Sequence, residues 1–326
     1  MKIRFGKVFK LSFLLMLSVA FGVTIFSDVP VSAAVKKTKK SAPKFQIDKT
    51  GALTGYEGDA KNVVIPGNVK SISFGAFMEH GEIESVTLPE GLLTIDECAF
   101  YGCDKLVELK LPNSLVHIGR LAFGNCMSLQ KIHIGDNLSD IMELFVCGCA
   151  NLSEIEVSEN NEHFTAEANI LYDKSQKSLI MCPQKTSGKV CIPESVVTIK
   201  EHAFLECGNI EEIMIGKNVK YIDEAAFYGC KNLRKIHANE ELRKIRSYAF
   251  AQCDSLKKIT LGENVNYVGN GAFFECDELR RLVCLSKNIE FGEDVFDDGL
   301  DLTIYAPSGS NIEEYALKNR YNFENL

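Results

Sequence analysis

The chain has 326 residues, a formal net charge of −8, twelve cysteines and no tryptophan. Once residues 1–44 are set aside, the body carries 27 Lys+Arg against 43 Asp+Glu, a net of −16. An acidic body excludes nucleic acid as a general partner, because phosphate binding needs a basic surface.

Residues 1–33 read as a secretory signal peptide: Lys2, Arg4, Lys7 and Lys10, an apolar run from Leu11 to Phe26, and small residues Val31-Ser32-Ala33-Ala34 for cleavage after Ala33 or Ala34. The rival reading is a membrane anchor. Its core is interrupted by Ser18, Gly22 and Thr24 and falls short of the about 20 apolar residues that a spanning helix wants, so no stable membrane span is expected after cleavage. No cysteine follows the run and twin arginines are missing, which points to the general secretory route. Residues 34–44 form a basic linker with Lys36, Lys37, Lys39, Lys40 and Lys44, either a solvated spacer or a contact to anionic wall polymer or lipid.

From Phe45 to Val69 the chain alternates around Asp48-Lys49-Thr50-Gly51, so a hairpin capping the first rung is expected, with the first repeat strand near Val63 to Ile65. Beyond this cap the chain is periodic. Phe77, Phe100, Phe123 and Val146 are spaced by twenty-three, and the same spacing resumes through Phe204, Phe227, Phe250, Phe273 and Phe296. A fixed period of this size means a solenoid. Within one unit, Leu109-Lys110-Leu111 predicts a strand stopped by Pro112, and Leu115 to Ile118 a second short extended piece. The segment from Ala99 to Cys103, with Gly102 and no alternation, predicts a helical turn. Half a dozen apolar side chains per unit gain roughly 1.5–3 kcal/mol each, against about 1–2 kcal/mol of backbone entropy for every residue ordered. A lone unit cannot fold, and stacking must close the deficit.

Between Ile155-Glu156-Val157 and Val190-Cys191-Ile192 stand twelve residues more than one period requires. This insertion, about 158–189, holds Ile170-Leu171-Tyr172 and Leu179-Ile180-Met181 around a polar loop and reads as a hairpin, a tolerated excursion before a binding loop. Near the end, Ser310-Asn311-Ile312-Glu313 has capping-box spacing and predicts a short helix to about Lys318 within a cap of about 301–326 that covers the last rung. The sequence reaches Leu326 without a sorting signal, so covalent wall anchoring is not expected.

The units resemble leucine-rich repeats of the bacterial BspA-like subfamily, whose signature is Ala-Phe-x-x-Cys followed by Leu-x-x-Ile-x-Leu-Pro. It stands here as Ala99-Phe100-Tyr101-Gly102-Cys103 with Leu106, Leu109, Leu111 and Pro112. It returns at Ala203-Phe204/Cys207, Ala226-Phe227/Cys230, Ala249-Phe250/Cys253 and Ala272-Phe273/Cys276. The departures are His80 for the first cysteine, Phe145-Val146 for one Ala-Phe and Gly299 for the last cysteine, and distortion is expected at those rungs. The resemblance implies an α/β repeat fold: a leucine-rich-repeat solenoid of about ten 23-residue rungs over residues 45–326, with short strands and helical turns, a hairpin N-cap and a short helical C-cap. It further implies an exported protein, secreted or loosely held at the cell surface, that attaches to a host or neighbouring-cell surface protein or to an anionic polymer.

Cys103, Cys126, Cys149, Cys207, Cys230, Cys253 and Cys276 share one repeat position, where a small buried apolar side chain suits the core. Seven cannot all pair among themselves, and neither Cys-x-x-Cys nor close Cys/His spacing supports a metal site, so buried free thiols are expected and no cofactor. No Gly-x-Ser-x-Gly, Walker loop or His-Glu-x-x-His occurs, and the histidines are scattered, so no enzyme is expected. A structural wall or matrix component without a specific ligand is the alternative function, and a hydrolase hidden in the insertion a remoter one. The ligand-binding candidates come from alternation. If Ile236, Ile259 and Leu282 point inward, Lys235, Lys258 and Arg281 point outward, with Arg234, Lys257 and Arg280 one residue earlier and His237 beside them.

Overall fold

The computed structural model describes residues 44–326, so the expected signal peptide and all of the linker but Lys44 lie outside the described residues. The described chain is a parallel β-solenoid of roughly a dozen rungs of about 23 residues. Each regular rung contributes two short strands, such as Glu108–Lys110 and His117–Ile118, whose central apolar residues are buried in a common core. The second strands pair rung to rung in register, Ile72 beside Ile95 beside Ile118, and so do the first, Leu109 beside Ile132 beside Ile155. The N-terminal hairpin Lys44–Ile47/Ala52–Glu57 is antiparallel, and its second strand starts the parallel stack by pairing with Ser71–Ile72.

The segment expected as a helical turn is instead a string of reverse turns. In the rung of Phe100, Ala99 N–H, Tyr101 N–H and Cys103 N–H donate three residues back, to the Asp96, Cys98 and Phe100 carbonyls, at 3.3, 3.0 and 3.2 Å. The alternate donors Cys98, Phe100 and Gly102 cross to the Arg120, Ala122 and Gly124 carbonyls of the next rung at 3.0, 2.7 and 2.9 Å. A helix would turn all of these amides inward along its own axis. Sharing half of them with the neighbouring rung forbids it. The alternation forces left-handed backbone at two positions per turn, such as Cys98 (φ 56°) and Gly102 (φ 75°), where glycine is only sometimes present.

The core is built from ladders. The phenylalanine rings stack nearly parallel, with centroids 4.7 and 5.2 Å apart from Phe77 through Phe100 to Phe123. They stack again from Phe204 to Phe296 at 4.7, 5.0, 5.5 and 5.5 Å. Beside them run the cysteines. The Sγ of Cys103, Cys126, Cys149, Cys230, Cys253 and Cys276 each donates to the phenylalanine carbonyl of the preceding rung, at 3.1–3.4 Å. A thiol is thus small enough for the core and still carries a weak donor for a carbonyl buried there. All twelve cysteines are free thiols, and the seven repeat-position thiols are buried. Burial pushes the Cys276 thiol up to about 12, so its thiolate is negligible at neutral pH. Under native conditions an alkylating reagent is expected to enter exposed Cys191 and to reach the repeat-position cysteines only after unfolding, which mass spectrometry of labelled peptides checks. Native labelling or disulfide formation in the ladder would contradict this packing.

The insertion departs most from expectation. It is not an excursion but a three-stranded meander, Phe164–Glu167, Ile170–Asp173 and Ser178–Met181, whose last strand pairs in parallel with Thr198–Ile199 and so starts the second stack. The strand Ile170–Asp173 is buried on both faces: Leu171 belongs to the N-terminal core, Ile170 and Tyr172 to the C-terminal one. A strand whose neighbours point to opposite sides serves as a partition. Asn161, fully buried, ties down the start of the first meander strand: its amide donates to the Gly135 and Leu138 carbonyls at 2.8 and 3.0 Å and accepts from the His163 and Phe164 N–H groups at 2.9 and 2.8 Å.

Of the departures from the signature, only that at Val146 interrupts the stack, and on one side only. Cys149 still reaches the Phe123 carbonyl at 3.1 Å, while the ring ladder stops there. At the other end the helix Asn311–Lys318 forms as expected, with Ser310 Oγ accepting from Glu313 N–H at 3.3 Å; the Glu313 carboxylate accepts from Gly309 N–H rather than from Ser310. Ile312 and Ala316 are buried. A further strand with no counterpart in the sequence-based expectations, Asn322–Asn325, pairs in parallel with Thr303–Ala306 and closes the stack.

Candidate interaction surface

Side chains that alternate outward from the first strands form columns, and the two halves of the solenoid fill them differently. In the N-terminal half Glu108, Lys131 and Glu154 stand in register and are internally compensated. Lys131 Nζ reaches Glu154 at 2.8 Å and Glu156 at 2.5 Å, while His133 bridges Glu108 and Glu156 at 2.9 and 2.7 Å. In the C-terminal half Lys189, Glu212 and Lys235 begin the same alternation, but the next two positions are Lys258 and Arg281. Lys235 and Lys258 form no ion pair among the described residues.

The strands Lys235–His237 and Lys258–Leu261 belong to different sheets. Between them lies an open depression lined by Arg234, Lys235, Ile236, His237, Lys257 and Lys258, together with Glu278. Ile236 is only half-buried, whereas Ile259 and Leu282 point fully inward as expected. Of the seven candidate residues, the fold therefore gathers five. Arg280 is turned onto the Asp277 and Leu279 carbonyls at 2.7 and 3.0 Å, and the Arg281 guanidinium lies over the Tyr305 ring at 4.2 Å.

Acids rim the depression without closing it. Glu211 stands 3.7 Å from Arg234, and Glu278 4.0 Å from Lys257. Glu212 contacts His237 at 3.1 Å and Lys189 at 3.0 Å. The hydrogen bond from Lys189 holds the Glu212 carboxyl below its ordinary value. Such exposed pairs are worth little individually and are readily exchanged for another anion. Sequence reasoning missed both Tyr305 under Arg281 and the lapse in pairing that opens the depression. The first could have been sought one rung beyond Arg281, and the second left no trace in the repeat, since Lys235 and Lys258 keep the 23-residue spacing.

A stacked β-solenoid with a charged outer strand face is the architecture of repeat-type interaction surfaces. The sequence matches the BspA type leucine rich repeat region over residues 55–176 and 182–303, in six copies. The chain therefore belongs to that family, a non-catalytic repeat module with an interaction surface. Among the described residues no group of three or more His, Cys, Asp or Glu is placed to hold a metal ion. No curated protein matches the sequence significantly.

Solved structures share the fold. The pneumococcal vaccine antigen PcpA superposes with a TM-score of 0.67 at 19% identity, covering 82% of this chain and 79% of that one. A leucine-rich cell surface protein of Faecalibacterium prausnitzii A2-165 gives 0.60 at 21% identity, covering 89% and 98%. A leucine-rich repeat protein of Eubacterium ventriosum gives 0.52 at 19%, covering 82% and 78%.

Proposed function

We propose that the chain is an exported binding module, secreted or loosely held at the cell surface, that attaches to an anionic polymer or to an acidic patch on a host or neighbouring-cell surface protein. The contact residues are Arg234, Lys235, Lys257 and Lys258, with His237 at the edge and Arg280 and Arg281 as a flank. The observation that carries this reading is the change of pattern along one face: charge is compensated through Glu154 and Glu156, then left in excess at Lys235 and Lys258. Fold maintenance alone would be served by the same acid–base alternation throughout. The surface setting is supported by the family and by the cell surface protein of similar fold. Among the described residues no helix is long and apolar enough to cross a membrane.

Each exposed contact adds little, so affinity must come from several acting together. Retention on a sulfated-glycan or wall-polymer column is expected to fall steeply with salt, because the Debye length shrinks from about 10 Å at 0.1 M to about 3 Å at 1 M. Changing Arg234, Lys235, Lys257 and Lys258 together to Ser should remove most of the retention. Changing Arg280 and Arg281 to Ser should remove much less, since these two are already engaged within the chain. Equal retention of the wild type and the four-residue variant would eliminate this surface.

A further inference from the structure

The interruption of the phenylalanine ladder leaves space as well as a gap in sequence. The rings stop at Phe123 and resume at Phe204; the next ladder position after Phe123 is Val146, and in the rung before Phe204 the place is taken by Cys182, whose N–H donates to the Ala203 carbonyl at 2.7 Å as the ladder phenylalanines do elsewhere. Both residues line a cavity of about 250 Å³ at the junction between the first solenoid half and the inserted meander. A valine and a cysteine, both in its wall, stand where two rings would be. An engineered apolar cavity of about 150 Å³ already accepts benzene, so a space of this size takes one aromatic ring or a compact bicycle.

Its walls divide by chemistry. Phe145, Val146, Leu152, Phe164, Leu205 and Met181 supply an apolar pocket. Glu143, Glu201, Gln184, Lys200 and His202 supply a polar side. Partial burial and then the charge of Glu143 hold the Glu201 carboxyl above its ordinary value, so a further anion here would be repelled. Arg120 lies 3.6 Å from Glu143 and compensates it. Burial lowers His202 to about 4, leaving it neutral at neutral pH, so the pocket also penalises an added buried cation. The ligand that satisfies these constraints is uncharged, planar and apolar, with one N–H or O–H to donate to a carboxylate.

We propose that this cavity is a binding site for a small neutral aromatic molecule bearing one hydrogen-bond donor, of the phenol or indole type, whose ring occupies the place vacated in the phenylalanine ladder. This site is separate from the basic depression, and its test does not depend on that surface.

The chain has no tryptophan, so the emission of added indole is read against tyrosine alone. Titration of indole with the chain is expected to give a saturable blue shift with one site per molecule. Val146→Phe restores the ring that the repeat places there and fills the slot; it should weaken indole binding by at least about tenfold, equivalent to 1.4 kcal/mol. Met181→Phe approaches the same space from the other side and serves if Val146→Phe loses its native circular dichroism. Indole-3-carboxylate should bind more weakly than indole, and Glu201→Gln should narrow that difference. Non-saturable partition of indole, or affinity unchanged in a folded Val146→Phe or Met181→Phe chain, would overturn the proposal.

Discussion

Replacing Phe227 by alanine is expected to cost about 3–5 kcal/mol, the range for removing a large aromatic side chain from a packed core. The ring is fully buried between Phe204 and Phe250, at 4.7 and 5.0 Å, and lies nearly parallel to both. Its own N–H donates to the Ala249 carbonyl at 2.7 Å and its carbonyl accepts the Cys253 thiol at 3.4 Å, both of the following rung, while on the preceding side Phe204 N–H donates to the Ala226 carbonyl at 2.7 Å and the Phe204 carbonyl accepts the Cys230 thiol at 3.2 Å. The rung backbone is therefore pinned on both sides, and the void cannot close by letting one rung slide toward the other. Urea denaturation of the purified chain gives the change in stability. A loss below about 1 kcal/mol, the size of an ordinary surface effect, would mean that the rings do not form a continuous ladder.

The second large effect is expected at Asn161, where alanine should cost at least about 3 kcal/mol, because each buried backbone group left without its partner costs roughly 1–3 kcal/mol. The side chain holds two carbonyls of the preceding rung and two N–H groups of the meander at 2.8–3.0 Å. Its neighbour Asn160 is exposed, and Asn160→Ala should change stability by no more than about 0.5 kcal/mol. Hydrogen exchange distinguishes local from global loss. In Asn161→Ala the strand Phe164–Glu167, whose start this side chain anchors, and its partner Ile170–Asp173 should exchange first. Equal stability of the two variants would show that the meander is held by something other than this amide.

How far the sequence reveals this molecule depends on whether a feature repeats. Phe100, Cys103, Leu109 and Ile118 each recur with period 23, and periodicity alone places their side chains in the core. The hydrogen-bond economy of the turns was not legible. Ala99 to Cys103, with no alternation and with Gly102, reads as a helical turn, but Phe100 and Gly102 donate to the next rung, a non-local choice that no local propensity encodes. The meander was half legible: the apolar runs at Ile170 and Leu179 gave its hairpin, while Phe164–Glu167 and the two-sided burial of Ile170–Asp173 arise from where the two cores meet. The same distinction applies to the candidate surface. Alternation put Lys235 and Lys258 on the outside, as found, but it could not tell that Arg281 would rest on Tyr305 or that Arg280 would fold onto its own turn.

The most direct test of the binding surface is a hydrogen-exchange footprint of the chain with and without a saturating sulfated glycan at low salt. Slowed exchange is expected in the segment from Arg234 to Thr260, where the two strands border the depression, with none at Glu108–Lys110, Lys131–Ile134 or Glu154–Val157, whose outer charges are already matched. Slowing centred on those compensated strands, or a bound glycan that slows no part of Arg234 to Thr260, would contradict the assignment of this face as the interaction surface.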